Sequence, residues 1–426
     1  MKQLELFTPY TRDERQEMCM KNWFKHRGKG CIVAPTGLGK TRIGLNTLST
    51  IITKYPNIRF LVVVPTQPLK EQWQIQLDER GLSFNGEVQI INTVVKSEWK
   101  TDILIIDEAH RYGSSLFSKI FEVVKYKYIL GLTATFERLD GKDAIIAKYC
   151  PVIDKISTEE ALFNGWISKY KEYAVLIDVD DIDYYNQLNK EFYEHFEFFN
   201  HDFGLVMSCV GPNGLNGRLR LRDRMCPKGT KEEKSQVLKS IIIHAAGFMR
   251  VMQARKKFIN NHPKKIEIAR KIIEARSDKK IITFSNNVKM AESIGIGYVY
   301  TGKISKKKGR ATLEEFSEMP APAVINSVAK LNEGADLKGL SVAIHLGIDS
   351  SKTKAIQKRG RVIRMEKGKV AENFILVIRG TVEESWLKNA YGVNITKIDE
   401  KELDEILAGE EITPTSKSLT NLYFRW

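Results

Sequence analysis

The chain has 426 residues, 42% hydrophobic and 28% charged, enough for two or three domains with real cores, which excludes wholesale disorder. Its 67 Lys and Arg against 52 Asp and Glu leave a net charge of +15, which fits an anionic polymer as partner and equally fits a soluble basic enzyme. The cysteines, Cys19, Cys31, Cys150, Cys209 and Cys226, are odd in number and lack metal-ligand spacing, which speaks against a disulfide framework or a structural zinc.

In chain order, "MKQLELFTPYTRDERQ" has no apolar leader core, and no 18-residue apolar stretch follows, so a soluble cytoplasmic protein with no membrane partner is expected. "GCIVAP", "RFLVVVP", "EVQIINTVV", "TDILIID" and "YILGLTAT" are continuously apolar, as parallel strands covered on both faces should be. Segments such as "PLKEQWQIQLDER" read as helices between them, giving a first α/β domain over 1–168. A second series, "KKIITFS", "GYVYTG", "APAVINSV", "SVAIHLG" and "ENFILVIRG", gives another over 266–400. Between them, 169–265 reads as a mostly helical insertion, aromatic in "DYYNQLNKEFYEHFEFFNHDF" and basic in "RLRLRDR", and 401–426 as a tail. Phe192, Phe196 and Phe199 are spaced to pack one helix face into a core, whereas "RLRLRDR" suits nucleic acid. The fold class is α/β, two tandem parallel-sheet domains with the insertion between them.

Five motifs carry chemistry. "APTGLGKT" follows a strand and opens a helix, so Pro35, Thr36, Gly37, Leu38 and Gly39 form a phosphate-cradling turn with Ala34 where the first glycine usually stands. Lys40 would reach the β- and γ-phosphates and the Thr41 hydroxyl would ligate Mg²⁺. "ILIIDEAH" places Asp107 to hold Mg²⁺ and Glu108 to orient and polarise the attacking water. "LGLTAT" fits a switch touching both the acidic motif and the second domain. In the second domain "AIQKRGRVIR" clusters Arg359, Arg361 and Arg364, with Gln357 leading, and the arginines could reach across a cleft to the γ-phosphoryl, while Gly334 and Asp336 of "LNEGADLKGL" suit a turn near a ribose or an arginine.

In this order the motifs resemble the two RecA-like domains of superfamily 2 helicases, over about residues 12–385. "APTGLGKT", "VVVPTQPLKEQW", "DEAH", "LTAT", "IITFSNN", "VINSVAKLNEGADL" and "QKRGRVIR" look like motifs I, Ia, II, III, IV, V and VI. The details of "VPTQPLKEQW", "LGLTATFERLDGKD" and "RGTVEESW" are similar to the XPB-like and phage UvsW-like branch, with Phe136 for the usual proline and Asn326-Ser327 for the usual Ala-Thr as departures. The resemblance implies nucleic-acid-stimulated ATP hydrolysis, Gln16 as the adenine reader, and Phe7 or Tyr10 as stacking candidates because Arg15 replaces the usual tyrosine. It also implies that Pro65, Thr66, Lys70, Asn92, Thr93, Ser285, Arg310 and Ser327 grip the phosphates of a strand without reading its sequence.

The expected activity is that of an ATP- and Mg²⁺-dependent DNA helicase or translocase, a monomer moving 3′-to-5′ on forked or junction DNA in replication, recombination or repair. A phage origin would place it in the host cytoplasm. The rival expectations are an RNA or R-loop helicase, and an ATP-gated DNA-binding motor subunit that unwinds nothing alone.

Overall fold

The computed structural model describes residues 9–137, 140–301, 304–328, 337–349, 370–391 and 395–410. The apolar runs of the first half become β1 (Lys29–Val33), β2 (Phe60–Val64), β3 (Gly86–Ile90), β5 (Ile103–Asp107), β7 (Tyr128–Thr133) and β8 (Val152–Lys155), while β4 (Trp99–Lys100) and β6 (Val124–Lys125) form a small pair of their own. The six-stranded sheet has the order β3-β2-β5-β7-β1-β8, and every pairing is parallel. Alternate residues feed two cores. Ile32, Val62, Ile105 and Leu132 pack on one face, and Cys31, Leu61, Ile106 and Ile129 on the other. That two-sided burial is why these strands read as unbroken apolar runs. "EVQIINTVV" is not a single strand: β3 stops at Ile90, and Ile91–Val94 is a helical turn. Ile91 and Val94 are buried with exposed Asn92 and Thr93 between them, a helical spacing rather than an alternating one.

The second sheet runs β11-β12-β10-β13-β14-β9-β15. Its strands are β9 (Lys169–Ile177), β10 (Lys280–Ser285), β11 (Tyr298–Tyr300), β12 (Ala323–Val328), β13 (Leu340–His345), β14 (Val370–Ile378) and β15 (Thr396–Ile398), again all parallel. This sheet begins earlier than the sequence suggested. Lys169–Ile177, placed in the helical insertion, pairs along its whole length with β14 and also with β15. Its polar start "KYKE" hides a strand whose second half is buried. The tail boundary moves too, because the helix Glu400–Ala408 packs Leu403 and Ile406 into the core of this sheet.

Buried polar side chains fix the register. Thr283 Oγ1 donates to Asn326 Oδ1 at 2.8 Å across β10 and β12, and His345 Nε2 lies 2.7 Å from Asn373 Oδ1 across β13 and β14. Lys265 and Glu383, both fully buried, form an ion pair at 2.6 Å, and Lys265 also donates to the Leu346 carbonyl at 3.1 Å.

What remains of the insertion is helical: Ile182–Glu197, Phe203–Cys209, Leu215–Met225 and the long Lys231–Asn261. It has its own core of Phe199, Val206, Leu221, Ile241 and Phe248, with Phe192 and Phe196 packed against it, so the phenylalanine spacing serves packing. Arg220 and Arg224 of "RLRLRDR" stay exposed. Among the described residues no helix is long and apolar enough to cross a membrane.

Candidate nucleotide site

Where β1 ends at Val33, the chain turns through Ala34–Gly39 and enters the helix Lys40–Lys54. Gly39 is the helix N-cap at φ +91°, a left-handed conformation that costs glycine little. A Cβ there would meet Gln16 Nε2 at 2.8 Å and Arg12 Nη2 at 3.1 Å, so glycine is needed for space as well. Those neighbours brace the turn from outside. Gln16 Nε2 donates to the Leu38 carbonyl at 2.7 Å, while Arg12 donates Nε to Leu38 O at 2.9 Å and Nη2 to Gly37 O at 2.6 Å. Burial and the charge of Arg42 lower the Arg12 pKa, as expected for a guanidinium drawn in against backbone. Lys40 Nζ donates to the Ala34 carbonyl at 3.4 Å, at the mouth of the turn.

Gln16 is 2% exposed and held on one side only. Its Oε1 is buried with no partner among the described residues. An orphaned buried acceptor beside a phosphate turn fits a base with an amino group. Arg15, where a stacking tyrosine was expected, is structural: it pairs with Asp154 at 2.8 Å and Glu160 at 2.6 Å. Tyr10 is tied by its backbone, with its N–H donating to Asn164 Oδ1 at 2.9 Å and its carbonyl accepting from Trp166 Nε1 at 3.2 Å. Phe7 lies outside the described residues.

Asp107 ends β5, separated from β1 only by β7, so it stands at the same sheet edge as the phosphate turn. Its carboxylate is 4% exposed and accepts two hydrogen bonds, from Trp73 Nε1 and from the Glu108 backbone N–H, both at 2.9 Å. Burial raises its pKa, while Trp73, the charge of Lys40 and the Glu108 amide oppose that. A buried carboxylate met mostly by neutral donors suits a hard cation, and Thr41, second residue of the helix after the phosphate turn, carries a hydroxyl at the same sheet edge, so the pair fits Mg²⁺. Among the described residues no cluster of three or more His, Cys, Asp or Glu could hold a metal by protein ligands alone.

Glu108 adopts φ 51°, a rare conformation for a non-glycine residue and one that gathers at functional sites. His110 Nδ1 lies 3.5 Å from Glu108 Oε2 and 3.0 Å from Thr133 Oγ1, and Thr133 Oγ1 donates to the Thr135 carbonyl at 2.6 Å. The acidic motif and "LTAT" are therefore wired through one imidazole.

The strand-gripping candidates are scattered. Pro65 and Thr66 follow β2, and Lys70 Nζ donates to Gln89 Oε1 at 3.1 Å. Asn92 and Thr93 are exposed. Ser285 and Ser327 are 3% and 0% exposed at the ends of β10 and β12, and Arg310 lies in the helix Lys306–Glu318. The hydroxyls of Thr66, Ser285 and Ser327 are buried without partners among the described residues. Gly334, Asp336, Gln357, Arg361 and Arg364 lie outside the described residues. Arg12 and Trp73 were not legible as site residues in the sequence. Trp73 stood in the quoted "KEQW" motif, but nothing in the one-dimensional pattern points its N–H at Asp107.

A parallel sheet with a phosphate turn and an acidic strand end at one edge defines a P-loop nucleotide hydrolase. Residues 10–95 and 83–138 match the family model of the type III restriction enzyme res subunit, and 264–366 match that of the helicase conserved C-terminal domain, together more than half of the chain. The DNA 3′-5′ translocase XPB2 of Sulfurisphaera tokodaii is 27% identical over 394 residues, covering 86% of this chain and 82% of the relative. A Methanocaldococcus jannaschii relative carrying an RNA-helicase name is 23% identical over 90% of this chain, which spans 60% of that relative's length. In fold, the Pyrococcus furiosus Hef helicase domain superposes with a TM-score of 0.56 at 18% identity, over 90% of this chain and all of that one. S. cerevisiae Dbp5 bound to RNA and ADP BeF3 gives 0.57 at 12%, over 92% of this chain and 91% of the other. The chain belongs to the superfamily 2 helicases, with two RecA-like domains, and is an ATP-hydrolysing enzyme.

Proposed function

We propose that the chain is an ATP-driven, 3′-to-5′ DNA translocase of the XPB-like and UvsW-like branch, unwinding or branch-migrating forked and junction DNA in replication, recombination or repair. The observation that carries the proposal is the meeting of Lys40, Thr41, Asp107 and Glu108 at one edge of the first sheet. Its DNA side is supported by the similarity to a DNA 3′-5′ translocase over most of both chains and by the +15 charge.

In this mechanism the braced turn holds the phosphates, with Lys40 on the β- and γ-oxygens and Gln16 Oε1 accepting from the adenine amino group. Thr41 and Asp107 hold Mg²⁺, which supplies positive charge to the phosphate oxygens when bound. Glu108 orients and polarises the attacking water, and His110 steadies the Glu108 carboxylate against Thr133. Arg361 and Arg364, led by Gln357, serve as the charge-neutralising arginines of the second domain, with Gly334 and Asp336 at its ribose edge. Strand phosphates are gripped by Pro65, Thr66, Lys70, Asn92, Thr93, Ser285, Arg310 and Ser327. The three partnerless hydroxyls in that set support this assignment. The helical insertion, with Arg220 and Arg224 exposed, supplies a second DNA surface. The protein works as a monomer in the cytoplasm.

Strand displacement on forked and four-way DNA tests the proposal. Release with ATP and none with a non-hydrolysable analogue is expected. ATP hydrolysis with no displacement on any substrate would instead mark a motor subunit that needs partners. A second reading, an RNA or R-loop helicase, is favoured by the name of the M. jannaschii relative. RNA outperforming DNA as activator would select it.

A further inference from the structure

The helix Gln67–Glu79 starts at the Pro65–Thr66 turn, assigned above to the nucleic-acid strand, and runs its middle into the nucleotide site. Trp73, about one turn beyond Lys70, is wholly buried and donates Nε1–H to Asp107 Oδ2 at 2.9 Å. The far side of the same indole rests on the phosphate-turn helix. A Cβ on Gly44 would come within 2.6 Å of Trp73 Cη2, so the two helices approach this closely because residue 44 has no side chain. One ring thus touches both the element that carries Lys40 and Thr41 and the carboxylate of Asp107. A second strut lies alongside. Tyr112, in the turn after Glu108, donates its hydroxyl to the Val63 carbonyl at 2.8 Å, three residues before Thr66.

We propose that Trp73, with Tyr112 as a second strut, is a positioning residue that couples strand binding at Thr66 and Lys70 to the Asp107 carboxylate, and so sets how strongly nucleic acid accelerates ATP hydrolysis. This rests on the function proposed above. A packed interior passes a shift of one element to its neighbours because it leaves no slack to absorb it. A strand that draws in the N-terminal end of the helix moves the indole N–H along Asp107 Oδ2, and moves the ring against Gly44. The Tyr112 hydroxyl ties the turn behind Glu108 to β2, so the water-polarising residue follows the same displacement. Coupling of this kind is reciprocal: whatever factor the strand contributes to nucleotide affinity, the nucleotide must contribute to strand affinity.

The test uses the full chain with two variants, Trp73→Phe, which removes the N–H and keeps an aromatic ring, and Tyr112→Phe, which removes only a hydroxyl. The affinity of a fluorescein-labelled oligothymidylate is measured with and without a non-hydrolysable ATP analogue and Mg²⁺, beside the ratio of stimulated to basal ATPase. The wild-type chain should show a nucleotide-dependent change in affinity of about fivefold or more. In each variant, oligonucleotide and analogue should still bind separately, the change should shrink to within about twofold, and the ATPase ratio should fall toward one. If Trp73→Phe does not fold, Tyr112→Phe decides the matter by the same readouts. Variants that keep the wild-type change in affinity overturn the coupling and leave the proposed function standing. A wild-type chain that binds no nucleic acid, or whose ATPase ignores it, overturns both.

Discussion

Glu108 and Asp107 are adjacent in sequence yet stand in different environments: Asp107 is buried under two donors, while Glu108 is half-buried at φ 51° beside His110. That division supports the proposed roles, cation holding for Asp107 and water polarisation for Glu108. Glu108→Gln should lower ATP hydrolysis by about 10²–10⁴-fold with nucleotide affinity retained, read by comparing turnover with binding of a labelled analogue. Full turnover in that variant would remove Glu108 from the mechanism. Arg12 makes a separate prediction. It donates to both Gly37 O and Leu38 O, and Arg12→Ala leaves those carbonyls without it. A raised KM for ATP with a smaller change in kcat is expected, because a loosened cradle affects ground and transition states alike. The turn before Lys40 and Thr41 and the strand end at Asp107 were legible in the sequence because both are local patterns. Arg12 and Trp73 were not, because their roles depend on contacts with residues 25 and 34 positions away.

At the scale of elements, the helix Arg12–Lys25 brings Arg12 and Gln16 to the phosphate turn, and it is anchored to β8 by Arg15. The sequence marked Arg15 as a departure from tyrosine. The structure supplies the reason, since the side chain is spent on Asp154 and Glu160. Burial pushes the Asp154 pKa up, but the hydrogen bonds and charge of Arg15, helped by Asn22, outweigh it and hold the carboxyl below the usual aspartate range. With a depressed folded-state pKa, the contribution of Asp154 to stability is present above its unfolded value of about 3.9 and is lost as pH falls through the folded value. Asp154→Asn should therefore cost about 3 kcal/mol at neutral pH and flatten the acid limb of stability against pH, both read from urea unfolding. An acid limb as steep as wild type would show that the pair does not set it. The buried pair of Lys265 and Glu383 ties the helix Pro263–Ala275 to the residues after β14. Removing one partner alone, as in Lys265→Met, should destabilise by about 3–5 kcal/mol, with much of that recovered when Glu383→Leu is added. Elements buried on both faces declared themselves as apolar runs, whereas β9, with its "KYKE" start, did not. Its strand character comes from pairing with β14, about two hundred residues later in the chain, which no local window contains.

Across the whole molecule, the order of motifs identified two parallel-sheet domains, because "APTGLGKT", "VVVPTQPLKEQW", "DEAH", "LTAT" and "IITFSNN" sit at strand ends and the strands recur in a fixed order. The insertion was legible as helical from its aromatic spacing, and its separate core of Phe199, Ile241 and Phe248 explains that spacing. The domain boundaries were less legible, since a strand from before the insertion and a helix after residue 399 both complete the second sheet's layer. With a net charge of +15 and the proposed grip on strand phosphates, DNA affinity should fall steeply and linearly on a log–log scale with added salt. A flat response would contradict a phosphate-dominated grip.

The central claim is that DNA drives hydrolysis at the Lys40–Asp107–Glu108 site. It is tested most directly by the ATPase rate in the presence of single-stranded, duplex, forked and four-way DNA and of RNA. Stimulation of about tenfold or more by DNA, strongest on branched substrates and absent in Glu108→Gln, is the predicted result. A rate indifferent to every nucleic acid, or unchanged in Glu108→Gln, would contradict it.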